Sequence, residues 1–266
     1  MSVALLIPAR HASARFPGKP LAPLRGTTGI AKPLIERTWE AAMAVRGVDL
    51  RAVATDDARI AEAARAFGAP VVMTSPDCAN GTERCAEALA RLSPAPEIVV
   101  NLQGDAPLTP PWFVEALIEA MRADTDIAVA TPVLRCDRTT LAHLAEDRRH
   151  GRVGATTAVF DRQGRALYFS KEVIPFTARA PRADEALPVF HHVGVYAYRA
   201  AALAAYRQAG EGVYERWEGL EQLRFLEAGL PVRCVEVEAR GASFWELNNP
   251  EDVARIEAVL AERGVA

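Results

Sequence analysis

Between residues 3 and 102 the sequence alternates short, mainly apolar runs with amphipathic stretches, and that alternation leaves few folds open. Residues 3–7, 51–54, 70–73 and 98–102 have the length and apolar character of strands. Between them, residues 33–45 (apolar at Leu34, Ile35, Trp39 and Met43), 57–67 and 81–92 have helical spacing, and Gly68 closes the second. Such repetition demands a mostly parallel sheet with helices on both faces. The later half is richer in strand-like segments, at 128–134, 155–160, 192–198 and 232–237, with a turn at Asp161-Arg162-Gln163-Gly164. Residues 111–122, 218–228 and 250–263 read as helices, and the polar stretches 135–152 and 177–188 as loops over a site or at an interface. No repeat, low-complexity tract or long linker divides the 266 residues. The pattern predicts one Rossmann-like α/β domain, residues 1–266, with a β-rich subregion inserted near 128–200.

Composition narrows the function. Half of the residues are hydrophobic, enough for a sizeable core, yet no run approaches the ~18 apolar residues that would span a bilayer. The N-terminus enters a β-like run at once, without the basic segment and long apolar stretch of a signal peptide. A net charge of −3 gives no bulk electrostatic case for nucleic acid or an anionic membrane. Cys78, Cys85, Cys136 and Cys234 have neither C-x-x-C nor zinc-like spacing, and read as reduced thiols of a cytoplasmic protein.

In a doubly wound sheet, ligands sit at the carboxyl ends of the strands. Three motifs fall there: the loop after Ile7, Thr55-Asp56, and Gln103-Gly104-Asp105. The first, Ile7-Pro8-Ala9-Arg10-His11-Ala12-Ser13-Ala14-Arg15-Phe16-Pro17-Gly18-Lys19-Pro20-Leu21, packs three cations around a glycine. Arg offers a planar fork of donors and Lys a compact charge, so the loop suits phosphates. It lacks both the Walker A spacing and the G-x-G-x-x-G of a dinucleotide turn, which leaves a triphosphate-gripping loop of the nucleotidyltransferase type.

Asp105 ends a buried-type strand after a glycine that admits close approach. It could merely cap the turn before Pro107. Beside a phosphate loop, a metal role is favoured, because Mg²⁺ is usually held by one or two carboxylates plus substrate phosphates. Gly81-Thr82-Glu83-Arg84 opens a helix whose first amides could meet a ligand, or could simply be capped by Asn80 with Glu83. Glu218 and Glu221 are most simply a solvated face. His192 and Tyr196 share strand parity and could be a structural, hydrogen-bonded pair; His191 faces away.

The stretches 7–21, 54–56, 81–84, 100–107, 166–170, 192–199, 220–224 and 250–252 together resemble the 3-deoxy-manno-octulosonate (Kdo) cytidylyltransferase family. The resemblance implies transfer of CMP from CTP to a 3-deoxy-2-ulosonic acid for lipopolysaccharide assembly, with Mg²⁺, on an α/β nucleotide-binding fold that is usually dimeric. It implies that Arg10, Arg15 and Lys19 hold the phosphates and that Asp105 holds the metal. Ala9, Thr55, Asp56, Gly81 and Gln103 would border the nucleotide. Arg84, Gln103, Lys171, His192, Tyr196, Glu221 and Gln222 would border the sugar acid. Partners would be these small molecules and a second copy, with no nucleic acid and no membrane.

Several positions depart from the family pattern. Asn248 stands where a second metal-binding Asp is expected, and Glu246, of the same parity, could reach the metal instead. Lys171 replaces a common Arg, a point charge for a fork. Residues 154–159 lack the usual Val-Lys pair, and 25–31 lengthen a connection. These leave two further readings open. One is a cytidylyltransferase for another, sialic-type or modified 2-ulosonic acid; the other is a non-catalytic nucleotide-sugar-binding descendant. Sugar-dependent pyrophosphate release separates the enzymes from the binder.

Overall fold

The computed structural model describes residues 1–12, 16–153, 155–177, 179, 182 and 184–266. β1 (Val3–Ala9) is followed by a hairpin, β2 (Pro23–Arg25) and β3 (Ala31–Pro33), which accommodates the long connection at 25–31. Then come α1 (Leu34–Met43), β4 (Leu50–Thr55), α2 (Ala58–Ala66), β5 (Val71–Met73), α3 (Gly81–Leu89) and β6 (Ile98–Leu102). The second half runs α4 (Pro111–Ala123), β7 (Val129–Arg135), α5 (Arg138–Arg149), β8 (Thr156–Phe160), β9 (Ala166–Ser170), β10 (Phe190–His192) and β11 (Val195–Arg199). It closes with α6 (Ala200–Ala209), α7 (Val213–Glu218), α8 (Leu223–Glu227), β12 (Val232–Glu236) and α9 (Asp252–Glu262).

One sheet carries the order β5-β4-β1-β6-β11-β7-β10-β8-β9, with β12 paired on β7. β1, β4 to β8 and β12 run one way, and β9 to β11 the other, so the sheet is mostly parallel in direction. β1 is buried along its whole length because it lies between β4 and β6 with helices on both faces. Leu5 and Ile7 pack with α1, α2 and α4, while Leu6 packs with α3, α6 and α8. Each such side chain contributes roughly 1.5–3 kcal/mol on burial, which makes β1 the fixed reference for everything at its carboxyl end. Among the described residues, no helix is long and apolar enough to cross a membrane.

The structure corrects the element reading in four places. Residues 135–152 are not a loop: Asp137 accepts the Thr140 N–H at 2.7 Å and caps α5, whose few apolar positions hid it. The helix expected over 218–228 is two, because Gly219 takes a left-handed φ of 61° between α7 and α8. The strand expected over 192–198 breaks at Val193-Gly194 into β10 and β11, which share β7 but otherwise pair with β8 and β6 respectively. α6 follows β11 directly, in an Ala-rich segment whose apolar spacing gave no clear period. The turn after Asp161 forms as expected, with Gly164 at φ 77° and Asp161 Oδ1 accepting from the Gln163 and Arg165 amides.

Candidate active site

Parallel pairing of β1 with β6 brings the loops that follow them together. Gly104 makes the join possible: a Cβ there would lie 2.6 Å from the Pro8 carbonyl oxygen and 3.5 Å from the Ala9 Cβ. The Gln103–Asp105 turn therefore rests directly on the end of β1, closed by the Ala106 N–H to Gln103 O bond of 3.1 Å. From the other side, Gly18 (φ +72°) donates to the His11 carbonyl at 3.0 Å and starts a 3-10 turn, Lys19–Leu21. That turn delivers the Lys19 ammonium to Asp105 Oδ2 at 2.5 Å, with the two side chains 15% and 25% exposed. Arg10, exposed at the strand end, donates to the Ala79 carbonyl at 3.1 Å. Arg15 lies outside the described residues.

The Asp105 backbone carbonyl accepts from the Leu247 N–H at 2.8 Å, which brings the flanking Glu246 and Asn248 to the same place. Asp252 pins this segment, accepting from the Asn248 and Asn249 amides at 3.0 and 2.8 Å and from Trp245 Nε1 at 3.1 Å. Glu246 Oε1 sits 3.1 Å from where a Cβ on Gly194 would be, so it lies at the break between β10 and β11. The donors gathered here are carboxylate and amide oxygens, the set that suits a hard cation such as Mg²⁺. Among the described residues no three His, Cys, Asp or Glu side chains form a cage for a metal.

A second wall faces this corner. Gly81 opens α3, and a Cβ on it would come within 2.9 Å of Gln103 Oε1, so glycine lets Gln103 lie across the helix start. Glu221 accepts from Gln103 Nε2 at 2.8 Å and from the Thr82 N–H at 3.0 Å, which occupies both of its oxygens. Burial pushes the Glu221 carboxyl up from its ordinary value, against the opposing bonds from Thr82 and Gln103. Tyr196 donates to Gln222 Oε1 at 3.1 Å. Gln222 Nε2 and Asn101 Oδ1 are buried without hydrogen-bond partners among the described residues. Unpaired buried polar atoms cost about 1–3 kcal/mol each, which makes these two candidates for meeting polar ligand groups.

His192 and Tyr196 stand on different strands, and their rings lie 5.6 Å apart in contact, but the expected hydrogen bond between them is replaced by bonds to Thr131 and Gln222. Thr131 Oγ1 lies 2.8 Å from Val195 O and 2.9 Å from His192 Nε2. With its one hydroxyl proton given to Val195, Thr131 accepts from a protonated His192 Nε2. Burial, aided by the charge of His191, lowers the His192 pKa to about 3. An unfolded histidine near 6.5 binds the proton that the folded one refuses. Stability from this site is therefore complete above about pH 6.5 and falls as the pH drops toward 3. Between pH 7 and 5, His192→Gln should remove on average about 1 kcal/mol per pH unit from the stability slope measured by urea unfolding. Equal slopes in variant and parent would refute it.

The remaining expected residues take supporting positions. Arg84 is buried, with Nη1 2.6 Å from Thr74 Oγ1 and 3.3 Å from Asp56 Oδ1. It therefore ties α3 to the end of β4, where Thr55 is buried. Asn80 caps α3 by accepting the Glu83 N–H at 2.9 Å, while Glu83 takes the Ala79 N–H rather than that of Asn80. Lys171 is held through its amide by Glu218 Oε2 at 2.9 Å, and Glu218 also accepts from Ser170 Oγ at 2.6 Å. Glu218 is thus a clamp rather than a solvated face. Thr131, Tyr198 and Asn101 were missed, although a lone Asn in the apolar run 98–102 was the available signal. Asn101 sits opposite Tyr196 in the β6–β11 register and donates to the Tyr198 hydroxyl at 3.3 Å.

A cation-bearing loop on the first strand of a doubly wound half-sheet, with a carboxylate beside it, suits nucleotidyl transfer, which asks for alignment and charge neutralisation at the phosphates. Residues 4–237 match the cytidylyltransferase family model. Over 99% of its length the chain is 46% identical to the 3-deoxy-manno-octulosonate cytidylyltransferase of Maricaulis maris, and covers 99% of it. The enzyme of that name from Chlamydia pneumoniae is 41% identical, over 96% of this chain and 92% of the relative. A solved CMP:2-keto-3-deoxy-manno-octonic acid synthetase complexed with CTP superposes with a TM-score of 0.83 at 36% identity, covering 99% of this chain and 100% of that one. A 4-diphosphocytidyl-2C-methyl-D-erythritol synthase from Anaerococcus prevotii shares only the fold, at TM-score 0.58 and 14% identity over 97% of this chain and 98% of that one. The chain belongs to the 3-deoxy-manno-octulosonate cytidylyltransferase family.

Proposed function

We propose that this chain transfers the cytidylyl group of CTP to the anomeric 2-hydroxyl of 3-deoxy-manno-octulosonate, giving the CMP-sugar for lipopolysaccharide assembly and releasing pyrophosphate. The observation that carries the reading is the continuity of the site. Gln103 and Asp105 belong to one turn, so the Lys19–Asp105 pair and the Glu221–Gln222 wall meet across two residues. In the reaction the sugar oxygen bonds to the α-phosphorus, the bond to the β-phosphate oxygen breaks, and the hydroxyl proton passes to the medium. Such transfer needs alignment and charge neutralisation more than covalent help. Lys19, Arg10 and Arg15 take the phosphates, and Ala9, Thr55, Asp56 and Gly81 border the nucleotide. Asp105, with Asn248 or Glu246, would hold Mg²⁺, which when bound supplies further neutralisation of phosphate charge. Gln103, His192, Tyr196, Glu221 and Gln222 orient the sugar hydroxyls, with Lys171 on the side of the acid, while the buried Arg84 holds α3 to the end of β4 behind them.

The continuous sheet supports one nucleotidyltransferase domain, with 128–200 as its β-rich subregion. Four buried free cysteines support a cytoplasmic location. A homodimer is supported by the apolar groove around Leu141, Val173 and Leu187, beside a Phe176 that is 90% exposed. The test is pyrophosphate release from CTP with Mg²⁺ and a panel of 2-ulosonic acids. Release with the manno-octulosonate supports the reading. Release only with another acid moves the chain to a sister specificity, and no release from a protein that still binds CTP favours a binding role.

A further inference from the structure

α7 and α8 have six and five residues and meet at a left-handed glycine. Helices this short have no stability of their own, yet this stretch carries Glu218, Glu221 and Gln222. Leu220, Leu223 and Phe225 bury apolar surface there, which anchors the stretch without fixing its direction. Arg224 supplies the direction. Its side chain is 4% exposed, and Nε and Nη2 fork onto Glu215 of α7 at 2.6 and 2.7 Å. Nη1 reaches Glu83 of α3 at 2.7 Å, and the guanidinium lies 4.1 Å over the ring of Tyr206 in α6. The Tyr206 hydroxyl accepts from Asn80, the α3 cap, at 2.7 Å. A buried cation is tolerated only when so fully matched, and the first-turn amides of α3 offset the extra carboxylate.

The contacts continue beyond the cluster. Glu83 Oε2 accepts the Ala79 N–H at 2.8 Å, and the Ala79 carbonyl accepts from Arg10. The Arg224 side chain reaches the site through these partners. We propose that Arg224 is a positioning residue that latches the sugar-side wall to the first turn of α3 and, through Glu83 and Ala79, to Arg10 on the phosphate side. This rests on the cytidylyl-transfer reading.

Two variants test it. Arg224→Lys keeps the charge but cannot make a fork and a third bond together. Glu83→Gln, at a side chain 21% exposed, is the milder change: the carboxylate gives one oxygen to Ala79 and the other to Arg224, whereas the single amide oxygen can keep one of these bonds but not both. Steady-state kinetics with CTP and the sugar acid are paired with hydrogen exchange of the substrate-free proteins. In both variants kcat/KM for the sugar acid should fall on the order of tenfold or more, with KM for CTP changing by roughly threefold or less. Amides in 79–84 and 213–227 should exchange faster while β1 and β6 stay protected. Unchanged exchange in those two segments, or equal losses for both substrates with exchange raised across the sheet, would overturn the latch. Absence of turnover in the parent protein would count against the transfer reading instead, and exchange would still decide the latch.

Discussion

Lys19→Ala is expected to lower kcat/KM for CTP by about 10²–10³-fold while leaving the protein folded. The ammonium sits where the loops after β1 and β6 meet, and triphosphate brought there adds several negative charges beside the Asp105 carboxylate. A point cation delivered by the rigid turn after Gly18 costs no reorganisation when the charge arrives, and such preorganised charges carry most of the rate in phosphoryl chemistry. The ion pair itself is partly exposed and contributes no more than about 1 kcal/mol to stability, so activity and melting temperature should separate. Steady-state kinetics and a thermal melt on the same sample check this. A variant within threefold of the parent in kcat/KM would remove Lys19 from the phosphate site.

Asp105→Asn should cost still more, about 10³-fold in kcat or beyond. The substitution keeps the side-chain shape, and the Leu247 N–H to Asp105 O bond, a backbone contact, survives. What changes is the charge. Glu246 and Asn248 stand on the segment held against Asp105, but Asn248 brings a neutral amide, so the loss of the Asp105 carboxylate leaves the corner with little to hold a divalent cation. Raising Mg²⁺ should recover only part of the rate, and Mn²⁺ titration of the free protein followed by electron paramagnetic resonance should show weakened binding. An Asp105→Asn variant that keeps a tenth of the rate and binds Mn²⁺ normally would assign the metal elsewhere.

The parts of this site that the chain writes locally were legible in the sequence. A strand, a glycine and three cations need no partner to be recognised, and Asp105 follows a run too apolar to be anything but a buried strand. The order of strands and helices through β6, apart from the β2–β3 hairpin, was legible for the same reason, since the hydrophobic period changes with each element. What escaped depends on contacts between distant segments. Arg224, Glu215 and Glu83 look like ordinary helix-surface charges until α3, α6, α7 and α8 are packed together. Gly194 and Gly219 divide a strand and a helix that a single pattern ran through, because a glycine's left-handed or close-packed use depends on what approaches it. α5 was hidden by the reverse case: a capped helix that buries little beyond Leu144 has almost no apolar period to read. Without the family resemblance Glu221 reads as solvated, because nothing in its neighbourhood announces that Gln103, more than a hundred residues earlier, donates to it.

The central claim, transfer of the cytidylyl group to a sugar acid, is tested most directly by following its phosphorus. CTP labelled with ³²P at the α-position is incubated with the protein, Mg²⁺ and 3-deoxy-manno-octulosonate, and the products are separated. The account predicts that the label moves into a CMP-sugar in step with unlabelled pyrophosphate, and that neither forms without the sugar acid. Label that stays in CTP, or that appears as free CMP regardless of the sugar acid, would contradict it.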